Sequence, residues 1–511
     1  MWQPNKLEQE RLEKAERLEA LGIELYPRRA KRTHTTAQAI AAFEAAEAEN
    51  AENPAEVIIT VAGRIRRVNI KGKVSFMHIE DEQGRVQLFL RINNLGETLY
   101  GAIKEKLIDM DDFVQATGTM MRTRTGEVSV NVQTLTLLSK ALSPLPVVKK
   151  EVQDDGTVVE HGEFTDVETR YRQRYADLAV NEEVRAVFRK RTRTINAIRT
   201  FLDDDGFLEV ETPILQPIYG GAAARPFTTH HNQLDQELYL RISFELYLKR
   251  LLVGGYDAVY EIGRDFRNEG VSYKHNPEFT QIEFYKAYAD YNEVMDITER
   301  MVAYAAEKVT GSTKITYQGQ ELDLAPPWPR ITLRDAIRDR SGIDYMDYQD
   351  AESLAAALEE TGDKMAPGTT WGRMVDHLLS KYVEPNLIQP TFLTDYPRDI
   401  SPFAKRVDYD EFHVERFEFF IAGMEMGNAF TELNDPRDQE QRFLDMKALY
   451  GDDDDEATPL DEDYLRAMRY GMPPNGGFGM GVDRLVMLLT DQRSIRDVLI
   501  YPHLRAERPS E

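Results

Sequence analysis

The stretch from Tyr260 to Tyr288, YEIGRDFRNEGVSYKHNPEFTQIEFYKAY, gathers cations, carboxylates and aromatics at strand spacing around a polar loop. Side chains alternate across a pleated strand, so the alternation predicts Arg267 and Glu269 on one face. Residues 270 to 277 include Ser272, Lys274, His275 and Asn276 and are polar enough for a loop, after which EFTQIEFYKAY returns as a second strand. On that return Phe279, Glu283 and Tyr285 share parity. An aromatic plate, a carboxylate and a phenol beside an Arg/Glu pair suit a nucleotide held next to an amine. On these residues alone, a surface hairpin with ordinary cross-strand charge pairs fits equally well.

Three further pieces carry chemistry. GMPPNGGFGMGVDRLVMLLTDQRSIRDVLIYPHLR is a glycine-dense loop and strand that delivers Arg484 at the start of the apolar helical run Leu485 to Leu489. Close backbone approach and one placed guanidinium suit a phosphate. RFEFFIAG followed by EMGNAFTEL sets Glu418 and Glu425 on either side of a glycine turn. These are hard oxygen donors of the kind magnesium accepts while keeping water and phosphate in its shell, although lone glutamates on strands are ordinarily surface residues. Asn428 and Glu432, four apart, share a face of an extended strand, and with Glu283 and Tyr285 they predict an acidic pocket for an ammonium group.

FRNE at 266 to 269 and GFGMGVDRL at 477 to 485 resemble motifs 2 and 3 of the class II aminoacyl-tRNA synthetases. THHNQLDQELYLRI, ELYLKRLLVGG, HNPEFT and FTELNDPRDQ are similar to the bacterial-type lysyl-tRNA synthetases, with the likeness running from about residue 57 to 505. The resemblance implies activation of L-lysine with ATP to lysyl-adenylate, then transfer to the 3′ end of tRNA(Lys) with release of AMP and pyrophosphate. It places Arg267 between the α-phosphate and the lysine carboxylate. Arg484 would hold the γ-phosphate of a bent ATP and stack on adenine from the face opposite Phe279. Glu269 would accept from the adenine amino group, and His275 would lie near the terminal phosphates. Glu418 and Glu425 would bind Mg2+. Glu432 and Tyr285 would take the ε-amine, Glu245 and Gly221 the α-amine and Asn428 the carboxylate, with Glu283 adding acidity.

Two departures stand out: Met424 replaces an Arg common in the family's GREIGN stretch, which lowers the charge expected near the metal ligands, and SFELYLKR replaces APELYLKR. The competing readings are an aspartate- or asparagine-charging ligase, a synthetase-like enzyme that modifies a protein lysine, and a non-catalytic RNA-binding regulator. An aspartate pocket would offer cations where Glu283 and Glu432 stand. The protein-modifying relatives lack an N-terminal OB-fold barrel, which this chain has over 57–141, and a regulator has no need of Arg267, Glu418, Glu425 and Arg484 together.

The elements that must position these residues fall into an α+β chain of 511 residues, 42% hydrophobic and long enough for two or three domains. A helical extension is expected over 1–56, with helices at 5–21 and 35–49. Residues 57–141 read as a five-stranded OB-fold barrel with a helix after the third strand, 142–170 as a linker, and 171–511 as a catalytic domain on an antiparallel sheet flanked by helices. Such barrels bind single strands by stacking bases on exposed aromatics beside a basic groove. By resemblance, Arg67, Phe76, Gln87 and Glu127 read the uridine-rich lysine anticodon. Net charge is 63 − 88 = −25, yet residues 60 to 140 hold twelve Lys/Arg against nine Asp/Glu, an excess of three where RNA would dock. Val184, Val187, Phe188, Ile195, Ile198 and Leu202 form a helical stripe, and FLEVETPIL follows as a strand. This resembles motif 1, which implies a homodimer, while a helix packed within one subunit fits the same stripe. Cysteine is absent, so any metal is held by oxygen or histidine. With no long apolar run and no signal-like start, a cytoplasmic location is expected. GDDDDE at 451–456 reads as a solvated loop.

Overall fold

The computed structural model describes residues 2–50, 54–146, 149–152, 158–161, 164–450 and 459–506. The acidic run 451–456 and parts of the expected linker, 147–148, 153–157 and 162–163, lie outside the described residues. The chain divides into two compact units, Met1–Asp166 and Val167–Glu511.

In the first unit, strands β1 (Ile58–Lys71), β2 (Val74–Asp81), β3 (Gly84–Arg91), β4 (Phe113–Arg122) and β5 (Val128–Ser139) close a barrel in the order β1-β2-β3-β5-β4, with helix α3 (Ile92–Lys104) following β3. Inward residues such as Val61, Ile65, Met77, Ile79, Leu88 and Val130 are fully buried. Helices α1 (Lys6–Ala20) and α2 (Thr36–Glu49) both start with capping boxes, at Asn5/Glu8 and Thr35/Gln38. They bury Leu18, Ala39 and Phe43 against the barrel core.

The second unit is built on eight strands: β6 (Leu208–Glu209), β7 (Ala258–Phe266), β8 (Glu278–Ala287), β9 (Arg330–Thr332), β10 (Thr391–Pro397), β11 (His413–Ile421), β12 (Met424–Thr431) and β13 (Asn475–Gly481). Their order is β9-β10-β11-β12-β13-β8-β7-β6. Only the edge pairs β6/β7 and β9/β10 are parallel. Helices α4 (Glu182–Asp204), α6 (Tyr291–Thr310) and α7 (Val482–Thr490) pack Ile198, Leu202, Met301, Val302 and Leu485 onto one sheet face, against Tyr260, Phe284, Phe417, Phe419, Phe478 and Met480. A further helix, α5 (Glu245–Val253), lies beside β7 and β8 on the opposite face, where Leu248 and Leu252 meet Val259 and Tyr285. Alternation therefore leaves the polar set on the face away from α4, α6 and α7.

Register gathers that set. Glu261, Glu283, Gly479, Asn428 and Glu418 are successive partners across five strands. One step along, Tyr285, Gly477, Phe430 and Arg416 form the next row. The site is a band crossing the sheet.

Candidate active site

β13 makes room at the centre of the band. In NGGFGMG, Phe478 and Met480 enter the core, while Gly477, Gly479 and Gly481 present bare backbone on the other side. A Cβ at Gly477 would overlap Glu432 and the Tyr285 ring, and one at Gly479 would come within 3.1 Å of Gln281 Nε2. Gly221 has φ +86° and a Cβ there would lie 2.9 Å from both Ser243 Oγ and Glu245 Cβ, so only glycine fits this wall.

Two cavities adjoin on the band. The larger, of about 440 Å3, is lined by Gly221, Glu245, Glu283, Tyr285, Glu418 and Phe430 among others. The smaller, of about 210 Å3, is lined by Glu269, His275, Phe279, Gly481 and Arg484 among others. Arg267, Gln281, Glu425, Asn428 and Gly479 line both. That shared wall is where a group bound in one cavity meets a group bound in the other.

The smaller cavity is cationic and aromatic. β7 ends at Phe266, so Arg267 and Glu269 stand on the loop beyond it and not on the strand that alternation predicts. The ladder persists through one bond, from Arg267 N to Pro277 O at 2.9 Å, and the chain then turns so that Glu269 N donates to Arg267 O. The Arg267 guanidinium lies 5.1 Å from the Phe279 ring centre. Arg484, in the first turn of α7, reaches the Glu425 backbone oxygen and lies 3.3 Å from its carboxylate. Asp483 accepts from Thr280 N at 2.8 Å and pairs with Arg191, which ties the glycine strand's helix to β8. His275 Nδ1 is 2.8 Å from Ser272 Oγ, and burial, with Arg484 and Lys274 nearby, pushes its pKa down. It serves as a neutral donor or acceptor.

The larger cavity is acidic. Glu283 accepts from Ser243 Oγ at 2.8 Å, Gln281 Nε2 at 2.9 Å and Tyr285 Oη at 3.2 Å. Burial, then Asp265 and Glu245, holds it well above the usual carboxylate range. With its donors supplied by the protein, Glu283 anchors the wall more than it binds a ligand directly. Glu245 and Glu432 are buried and both meet the ammonium of Lys249, at 2.6 Å from Glu245 Oε1 and in an ion pair with Glu432 Oε2. Burial pushes Glu432 up to about 8, with Lys249 opposing the shift. Glu432 and Lys249 are fully buried and do not themselves line the cavity, so the acidic pocket expected from the sequence is backed by a cation behind its wall.

Glu418 accepts from Arg416 at 2.5 Å and from Tyr396 Oη at 3.0 Å, and burial, reinforced by Glu425 and Asp376, raises it to about 7. A cation would relieve that like-charge pressure, so the pair fits a hard divalent ion. Among the described residues no group of three or more His, Asp or Glu is placed to hold a metal by itself. Glu425 and Asn428 are three apart, yet both line the cavity. The ladder skips one residue there, Phe419 pairing with Gly427 and Phe420 with Glu425, and this bulge at Met426 restores the face. Met424 points into the hydrophobic core behind the sheet, not toward the carboxylates. Its replacement of a charged residue therefore leaves the site wall unaltered.

In the first unit, Phe76 pairs with Phe89 across β2 and β3, ring centres 5.2 Å apart, with Arg91 over Phe89. One row along, Arg67, His78 and Gln87 are successive partners. Glu127 accepts from Gln87 Nε2 at 2.6 Å and lies 2.8 Å from His78 Nε2. All four expected residues share one barrel face. Phe89 and His78 belong to it and were legible as same-parity neighbours. Lys249, Arg416 and Asp483 are the second-unit residues that sequence reasoning missed.

A family model described as tRNA synthetases class II (D, K and N) matches residues 166–505, and one described as OB-fold nucleic acid binding domain matches residues 59–138. The chain belongs to the class II tRNA synthetases. Within that class it is similar to proteins named lysine–tRNA ligase: 52% identical over 504 residues to that of Roseiflexus castenholzii, covering 98% of this chain and 99% of the relative. It is 50% identical over 510 residues to that of Chloroflexus aurantiacus, with 99% of each chain covered. The likeness to that of Carboxydothermus hydrogenoformans is 49% over 501 residues, covering 98% of each chain.

Proposed function

We propose that this chain is a lysine–tRNA ligase whose two cavities divide the work between lysine and ATP. In the first step a lysine carboxylate oxygen attacks the α-phosphorus of ATP, forming lysyl-adenylate as pyrophosphate leaves. In the second, the terminal ribose hydroxyl of tRNA(Lys) attacks the acyl carbon, and AMP departs with the pair of electrons of the broken bond.

The observation that carries the reading is the charge balance of the larger cavity. Glu245 and Glu283 line its amino-acid end and Glu432 is buried beside Gly477, while one ammonium, that of Lys249, serves Glu245 and Glu432 together, so this end is richer in carboxyl groups than in cations and favours the ammonium groups of lysine. A buried carboxylate left unpaired is costly, so substrates without a second ammonium are rejected. Aspartate would add a further anion to this wall.

Arg267 stands on the wall common to both cavities, where the carboxylate and the α-phosphate must meet. Charge accumulates on phosphorus as the bond forms, and positioned guanidinium donors stabilise it without proton transfer. Arg484 is the donor for the outer phosphates, and Phe279 the plate for adenine, with Glu269 accepting from its amino group and His275 beside the phosphates. Asn428 and Gly221 orient the amino acid's carboxylate and α-amine, and Tyr285 sits at the far end with Glu432. Glu418 and Glu425 would hold Mg2+, which when bound supplies neutralising charge to the triphosphate.

The barrel face of Arg67, Phe76, Gln87 and Glu127 takes the anticodon. A homodimer is supported by Leu208, Ile214 and Leu215, which are 46%, 43% and 47% exposed in the segment that resembles motif 1. Among the described residues no helix is long and apolar enough to cross a membrane. We place the protein in the cytoplasm, where charged tRNA is used. Lysine-dependent exchange of pyrophosphate into ATP tests the reading. Exchange with aspartate or asparagine in place of lysine would overturn it.

A further inference from the structure

Lys249 lies on α5, one turn after Glu245, with no solvent exposure. Its ammonium meets Glu245 Oε1 at 2.6 Å and Glu432 Oε2 in a second ion pair, and lies 5.0 Å from the Phe403 ring centre and 5.8 Å from that of Tyr285. Tyr464, with a buried hydroxyl that has no hydrogen-bond partner, is a further titratable group beside Lys249. Both carboxylates therefore give one oxygen to a fixed cation. Glu245 lines the cavity, and Glu432 Oε1, which has no hydrogen-bond partner, abuts the backbone of Gly477, itself part of the cavity wall.

We propose that Lys249 is a positioning residue for amino-acid selection, a resident ammonium that ties Glu245 to Glu432 and holds their remaining oxygens at the separation of the two ammonium groups of lysine. The inference rests on the reading of this cavity as a lysine site. Two buried carboxylates without a cation between them repel and separate, or one takes up a proton; either change blurs the distance over which a diamine is measured. Lys249 makes that distance a property of the protein before substrate arrives. A homologue one methylene shorter, such as ornithine, then leaves one carboxylate unpaired.

The test is pyrophosphate exchange by the full chain and by K249M, K249Q and K249R, with lysine, ornithine and ATP each varied. In K249M and K249Q the KM for lysine should rise about tenfold or more while the KM for ATP stays within about twofold, and the preference for lysine over ornithine should narrow; K249R should recover part of both. A merely structural lysine would lower activity without moving the ratio of the two amino acids. Unchanged lysine KM and unchanged discrimination in a folded K249M would overturn the proposal. If the parent chain itself shows no lysine-dependent exchange, the underlying reading falls instead.

Should none of the variants fold, the unmodified protein answers the question through its 15N-labelled lysine ammonium resonances. Lys249 and Lys140 are the fully buried lysines among the described residues, and K140R separates the two signals. The Lys249 resonance should shift on addition of L-lysine and hold still on addition of ATP alone. A resonance indifferent to L-lysine would overturn the proposal.

Discussion

Gly477 and Tyr285 are register partners at the centre of the sheet, and the absent side chain of the first lets the ring of the second and the Glu432 carboxylate close against its backbone. Gly477→Ala should therefore displace Tyr285 and Glu432 at the end of the cavity proposed for lysine. We expect at least a tenfold loss of lysine affinity by calorimetry and, from overpacking, about 1–3 kcal/mol of lost stability in denaturant melts. Normal lysine binding by the variant would show that the amino acid does not reach Gly477.

Glu432→Gln keeps the shape but removes the charge proposed to face the ε-amine. Truncating one side of a buried charge pair costs about 2–5 kcal/mol, so the KM for lysine should rise by about 30-fold or more with little change for ATP. An unaltered lysine KM in exchange assays would remove Glu432 from the pocket.

Arg267→Lys preserves charge and loses the planar fork that contacts two oxygens together and lies against Phe279. We expect adenylate formation to fall by about 2–4 kcal/mol of barrier, roughly 30- to 1000-fold, with the melting profile unchanged. Near-normal exchange would make Arg267 a structural loop residue.

Asp265 has no solvent exposure, and neither of its carboxylate oxygens has a hydrogen-bond partner. Burial raises it to about 7, against the opposing pull of Arg241 and Arg267. A carboxyl whose folded-state pKa is raised contributes stability that is full below its ordinary value of 3.8 and is lost as pH rises through about 7. Asp265→Asn should come nearest to the parent's melting temperature at pH 4 and exceed it by a growing margin up to pH 8. Scanning calorimetry at both pH values would contradict this if the variant were the less stable at pH 8.

Phe76→Ala should raise the KM for tRNA by the equivalent of about 1–3 kcal/mol, one stacked base, and leave lysine-dependent exchange intact. Equal losses in both assays would assign Phe76 to folding of the barrel.

The sequence alone determined the barrel and the two glycine- and arginine-bearing segments, and it supplied the residue types that the proposed chemistry uses. Strand alternation and local turn signals act over a few residues and are readable without partners. Parity alone could align Phe279, Glu283 and Tyr285 because β8 is regular from end to end. Arg267 and Glu269 escaped that logic because β7 stops at Phe266 and the loop geometry takes over. Glu425 joined Asn428 on one face only through a bulge at Met426, which depends on how β11 and β12 slide against each other. Lys249 was invisible as a site residue, since helical spacing shows Glu245 four places away but nothing in the sequence places Glu432 against the same ammonium. Cross-strand register and the packing of α5 over β8 made those choices. They are decided by burial of side chains far apart in the chain, a cooperative property that no local pattern encodes.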